Sequence, residues 1–148
     1  MSRISSLTGQ RLLQAALIFG LVGTGLELAL LEHYEDAWQL IPIVLLASGL
    51  VGTVWHIAAP TRYSARVLSI LMLAFALAGL LGLWLHFKGN MEFELEMYPG
   101  LTGWPLIWKT LGGAVPALAP GTMVFVGLVG FVVARSPGSA PVNQSQKQ

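Results

Sequence analysis

The chain has no cysteine and few charges: only 10% of its 148 residues are Asp, Glu, Lys or Arg. The missing cysteine excludes disulfides, thiolate zinc sites, iron–sulfur clusters and cysteine nucleophiles. A soluble domain carries about 25% charged residues, and one of this length still leaves roughly a third of its surface wet. With 55% apolar residues, the chain cannot hide its hydrocarbon from water, and lipid is its natural solvent. The net charge of +1 lacks the basic excess that nucleic acid attracts, so nucleic acid is excluded as a partner. No internal repeat, Walker-type glycine loop, His-Glu-x-x-His helix or Gly-x-Ser-x-Gly elbow is present. No nucleophile-and-base pair is visible either, so a membrane enzyme with a metal at its mouth is the weakest reading.

What is present is apolar sequence in four stretches: Leu12–Leu31, Leu40–Ala58, Val67–Trp84 and Leu118–Ala134. Crossing a ~30 Å hydrocarbon core takes about 20 helical residues, with a tolerated range of ~17–25. The first three stretches meet that requirement. The fourth is marginal because Pro116 and Pro120 stand at its start; proline is tolerated in a first helical turn, which predicts a short spanning helix from near Pro120, with a re-entrant segment as the alternative. The first apolar run is longer than the ~7–15 residues of a signal peptide, and no small-x-small site precedes Glu32–Asp36, so it is expected to stay as a helix. The expected fold class is an all-α integral membrane protein. Its four transmembrane helices would form an up-and-down bundle, with a structured extracytoplasmic segment between helices 3 and 4. One domain would cover residues 1–135, followed by a disordered cytoplasmic tail over 136–148.

Charge sets the expected orientation. Arg3, Arg11, Arg62, Arg66, Arg135 and Lys147 fall on one side of this arrangement, and only Lys88 and Lys109 on the other. Loops rich in Lys and Arg stay cytoplasmic, so both termini are expected inside, in a bacterial inner membrane. All seven acids (Glu27, Glu32, Glu35, Asp36, Glu92, Glu94 and Glu96) fall in the outer half.

The outer segment, residues 87–117, divides into two patterns. Met91–Met97 alternates apolar and acidic residues, which predicts an extended strand with Glu92, Glu94 and Glu96 on one side. Trp104, Ile107, Trp108 and Leu111 recur at helical spacing, with Thr102 or Gly103 as cap, Pro105 in the first turn and Gly112-Gly113 as the stop. Two tryptophans and a lysine suit such a helix to the headgroup boundary. Helix association in lipid relies on close backbone approach, and small residues supply seams: Ala16, Gly20 and Thr24; Ser48 and Gly52; Ala74, Ala78 and Gly82; Gly127 and Gly130.

The candidate site lies at the outer mouth. An ionised carboxylate inside a span costs at least ~2.5 kcal/mol unless paired, wet or protonated. The spacing of Glu27 from Gly20 and Gly23 predicts an interior position, and that of His86 from Gly79 and Gly82 predicts the same. Helices 1 and 3 lie across the centre of such a bundle, so the two side chains would converge. His33 and Asp36 share a side if the first helix continues through them. Together with the Glu92, Glu94 and Glu96 row, these residues make a candidate ligand set for a divalent metal ion; the competing reading is ordinary interfacial hydrogen bonding and a solvated acidic face. Copper at Met91 and Met97, or haem between two outer histidines, is disfavoured for want of any pattern. His56 is expected to hydrogen-bond the second loop or reach the headgroups. The function expected is a structural or accessory subunit, self-associating as a homo-oligomer or packing with a membrane-protein partner, in contact with membrane lipid and presenting an acidic outer face. The alternative is a cation-binding or cation-conducting protein using Glu27, His86 and the outer carboxylates.

Overall fold

A computed structural model describes residues 2–136, the side chains of residues 2–6 excepted. The described residues form five helices: α1 (Ser2–Leu30), α2 (Ala37–Ala58), α3 (Arg62–Met97), α4 (Gly103–Leu111) and α5 (Gly121–Arg135). Three stretches, Leu7–Leu30, Ala37–Ala58 and Arg62–Met97, are long and apolar enough to cross a membrane. With 15 residues, α5 rises about 22 Å, short of a ~30 Å core. It starts where its sequence predicts, with Pro120 as N-cap. The tail expected to be disordered lies, from residue 137 on, outside the described residues.

Local chemistry explains the ends. Asp36 caps α2 by accepting from Gln39 N at 2.9 Å, and the Gln39 side chain accepts from Glu35 N at 2.7 Å. Thr61 and Ser64 cap each other at the start of α3 in a full capping box. α1 closes by a Schellman motif: His33 N donates to Leu28 O and Glu32 N to Ala29 O. Glu32 holds the left-handed position there, φ 53°, where glycine is the usual residue. The chain turns at that point, so His33 and Asp36 do not share a helical face.

One expected element is overturned. Met91–Met97 is helix, the last turns of a 36-residue α3, and there is no strand among the described residues. No proline and only one glycine interrupts the sequence between Trp84 and Tyr98, and a second helix lies ready to bury one face of the extension. By contrast, α4 begins at Thr102 as N-cap and ends at Gly112 as its sequence spacing predicts.

α1, α2, α3 and α5 form a ring in which α1 and α3 each touch α2 and α5, while α4 packs on α3. Leu17, Leu21, Leu46, Leu68, Met72, Phe75, Val126 and Val133 fill the centre. The tightest seam joins α3 to α5. A Cβ at Gly127 would stand 2.7 Å from Met72 O and 2.8 Å from Ala76 N; one at Gly79 would stand 2.8 Å from Val124 N. A Cβ at Gly130 would collide with the Met72 side chain. This register, 72 against 130, 76 against 127 and 79 against 124, is antiparallel. Gly20, Gly52 and Gly82 also face close neighbours, Val126, Leu71 and Pro120 respectively, so these members of the predicted seams are interior. Ala16 is exposed, and Gly9, Gly23 and Gly25 face open space.

The antiparallel ring gathers the α1–α2 turn and the far end of α3 at one end of the bundle, where all seven acids lie; Arg62, Arg66 and Arg135 lie at the other. The two are called the acidic and basic ends below.

Backbone atoms cannot swing aside as side chains do. Gly127→Ala is therefore expected to lower stability by about 1–3 kcal/mol, the range for overpacking a filled contact, whereas Gly23→Ala is expected to be neutral or stabilising by about 0.4–1 kcal/mol. Reversible unfolding in mild detergent measures both; equal effects would refute the seam.

Candidate functional site

Beyond Trp84, α3 presents three polar side chains one turn apart, His86, Asn90 and Glu94, to the segment that leads from α4 into α5. Asn90 is buried and fully used. Its Nδ2 donates to Thr110 O at 3.0 Å and to Val115 O at 2.6 Å, and its Oδ1 accepts from Val115 N at 3.2 Å. His86 Nδ1 donates to Pro116 O at 3.1 Å, which fixes the proton on that nitrogen. Glu94, nearly covered, forms an ion pair at 3.6 Å with Lys109, whose ammonium also sits 3.6 Å from the centre of the Tyr98 ring. Gly113 makes the cluster feasible, since a Cβ there would stand 2.6 Å from Asn90 Cγ. Thr110 is buried on the same side, with its hydroxyl unpartnered.

The chemistry of this cluster is backbone satisfaction. Between α4 and α5 the chain leaves regular helix, and its amides and carbonyls lose their ladder partners. Irregular backbone near a membrane is tolerated where protein supplies the missing hydrogen bonds. Asn90 and His86 make four hydrogen bonds there: both Val115 groups depend on Asn90, while Thr110 O and Pro116 O gain a second donor beside Gly113 N and Ala119 N. The cluster staples the α4–α5 link to α3.

The predicted ligand set is dispersed. Glu27 is exposed on the outside of α1, which overturns its interior assignment. Helical arithmetic explains this: Glu27 falls on the stripe Leu12, Phe19, Gly23 and Leu30, whereas the core is met by Leu17, Leu21 and Thr24. His86 faces Pro116 and not Glu27. His33 is half-buried in the α1–α2 turn, and Asp36 is occupied as a helix cap. The acidic row separates because positions two apart on a helix point to opposite sides: Glu92 and Glu96 are exposed, while Glu94 turns to Lys109. Glu92 pairs with Lys88 at 3.5 Å, an exposed contact of about 0–1 kcal/mol. Among the described residues, no group of three or more His, Asp or Glu side chains is placed to hold a metal ion.

Sequence reasoning missed Asn90. Its signal was available only if α3 were continued past His86, for then His86, Asn90 and Glu94 fall on one face. At the basic end a second knot ties the α2–α3 turn. Ser64 Oγ donates to Ala59 O at 3.0 Å and accepts from Thr61 N at 3.0 Å, leaving buried His56 Nδ1 as a donor to it at 3.0 Å. The expectation that His56 bonds this loop holds.

Removing Asn90 leaves the part-buried N–H and C=O of Val115 without their partner and takes one of two partners from the carbonyl of buried Thr110, which keeps Gly113 N. Asn90→Ala is expected to destabilise by on the order of 2–3 kcal/mol. Asn90→Asp should do worse, because carboxylate oxygens would face two carbonyls. Glu92→Gln should stay within about 0.5 kcal/mol. Detergent unfolding of the three variants checks the order; an unaffected Asn90→Ala would show the staple to be dispensable.

Comparison of the chain with protein-family models, with curated proteins and with solved structures finds no match, so the functional reading rests on the geometry alone.

Proposed function

We propose that this chain is a small polytopic membrane protein that acts as a structural or accessory subunit, self-associating or packing in a larger membrane assembly through α1. The observation that carries the reading is the uncovered side of α1. Only 11% of its span is buried, against 28% and 33% for α2 and α3. The open stripe runs Leu12, Ala16, Phe19, Gly23, Leu26, Glu27 and Leu30, with Phe19 80% exposed. Small residues on such a stripe allow another helix to approach closely. Glu27 is the sharper signal. Ionisable side chains within spans face an interior, a cavity or a partner, and the Glu27 carboxylate, one helical turn before α1 ends, has no hydrogen bond or ion pair within the described residues. A neighbouring helix that supplies a donor gives it one. The cation-conducting alternative needs Glu27 and His86 on one path, and they point to different surroundings.

The same proposal places four crossings in a bacterial inner membrane, both termini cytoplasmic and the acidic end outside. The turns over Pro116–Pro120 lengthen the short α5 crossing at that end, and the Lys and Arg asymmetry sets the orientation.

The absence of cysteine makes the chain its own background for single-cysteine work. Phe19→Cys in intact membranes should cross-link to a second copy or to another membrane protein, and Leu77→Cys, on an exposed face of α3, should not. No cross-link at Phe19, with a single-chain mass in mild detergent, would leave α1 facing lipid and sink the proposal. For orientation, a membrane-impermeant maleimide should label Gly100→Cys in intact cells and reach Pro60→Cys only after lysis; identical behaviour at both sites would reject the topology.

A further inference from the structure

We infer that α4 is an interfacial anchor, its Trp104, Ile107, Trp108 and Leu111 face held by the lipid headgroups at the acidic end of the bundle; the inference rests on the membrane reading above. The aromatic residues mark the boundaries. Trp55 and Tyr63 lie edge to face at the basic end, 5.7 Å apart, while Tyr34, Trp38, Trp84, Trp104 and Trp108 all lie towards the acidic end. From Trp38 to Trp55 along α2 the rise is about 26 Å, and from Tyr63 to Trp84 along α3 about 32 Å. The two values bracket the ~30 Å thickness of a hydrocarbon core with aromatic belts at its edges.

The staple fixes α4 just beyond that edge. Pro116 is bonded to His86 and Thr110 to Asn90, about 3 Å and 9 Å along α3 from Trp84, which brackets a headgroup layer of roughly 5–8 Å on each side of the core. Leu106 and Thr110 turn towards α3, and Thr110 is buried. Trp104, Ile107, Trp108 and Leu111 recur on the opposite side and are all exposed, the two tryptophans at 67% each. Away from an upright α3 means sideways, into the surrounding headgroups. Exposed Val115 and Leu118 continue the apolar surface from α4 to the start of α5. Lys109 completes the pattern: its ammonium reaches for Glu94 and Tyr98, near the end of α3 farthest from the core, as an interfacial lysine directs its charge away from hydrocarbon.

Nitroxide labels on single cysteines test this in vesicles of phosphatidylethanolamine with a minor fraction of phosphatidylglycerol. Collision rates with oxygen, which concentrates in hydrocarbon, and with a neutral nickel chelate, which stays in water, report depth. Leu77→Cys should be dominated by oxygen and Gly100→Cys by nickel, with Ile107→Cys and Leu111→Cys between them. A nickel-dominated signal at both α4 sites, equal to that at Gly100, would put α4 in water and overturn the anchor. Shielding from both quenchers there would mean that protein covers the face, and would overturn it equally. A nickel-dominated signal at Leu77 would instead bring down the membrane reading itself.

Discussion

The close approach of α3 and α5 is the contact on which the rest of the structure depends. Between two helices in lipid there is little hydrophobic force, so attraction has to come from surface matched at short range. Gly79, Gly127 and Gly130 let these two backbones meet with nothing between them but Met72, Ala76 and Val124. That register places Pro120 beside Gly82 and, one turn further, Pro116 beside His86. The polar staple is therefore a consequence of the glycine seam. Once α5 is fixed against α3, the irregular link before it must lie along α3 beyond Trp84, where Asn90 and His86 serve its backbone.

The all-helical class and the three long apolar helices were legible because a simple rule acts on sequence: long apolar runs become helices, and their ends carry charge. The α4 signals were equally local: Thr102 stands at the N-cap position, Pro105 in the first turn and Gly112 at the C-cap. The strand assigned to Met91–Met97 failed for a non-local reason. Alternation of acid and apolar residues describes a strand only if each side meets a different surroundings. Here α4 covers one helical face, so Asn90 and Glu94 find partners while Glu92, Phe93 and Glu96 remain outside. Local pattern cannot announce a partner that arrives from residues 103–115.

The candidate site was less legible than the fold, and Glu27 shows why. Its spacing from Gly20 and Gly23 identifies a small-residue neighbourhood but not which side of the helix the bundle covers. Gly20 abuts Val126, whereas Gly23 abuts nothing within 4 Å. The two glycines differ by 300° around the axis, or 60° the short way, and the edge of the bundle falls between them. Small residues mark where a helix can be approached; they do not say by whom.

The same distinction separates the seven acids. Asp36 is engaged as a helix cap, Glu92 pairs with Lys88 and Glu94 with Lys109, so three of the seven acids are answered locally. Glu27 is the carboxylate that this accounting leaves over within a span, and it lies on the helix with the least intramolecular cover. Around α3 the chain has provided for its polar groups from within: donors for the link carbonyls, a lysine for the buried acid, glycines where backbones meet. Along the open side of α1 it has provided none of these, although the stripe holds both an ionisable side chain and positions small enough for close approach. That bare stripe, and not any contact within the chain, is the observation on which the proposed packing against a neighbouring helix rests.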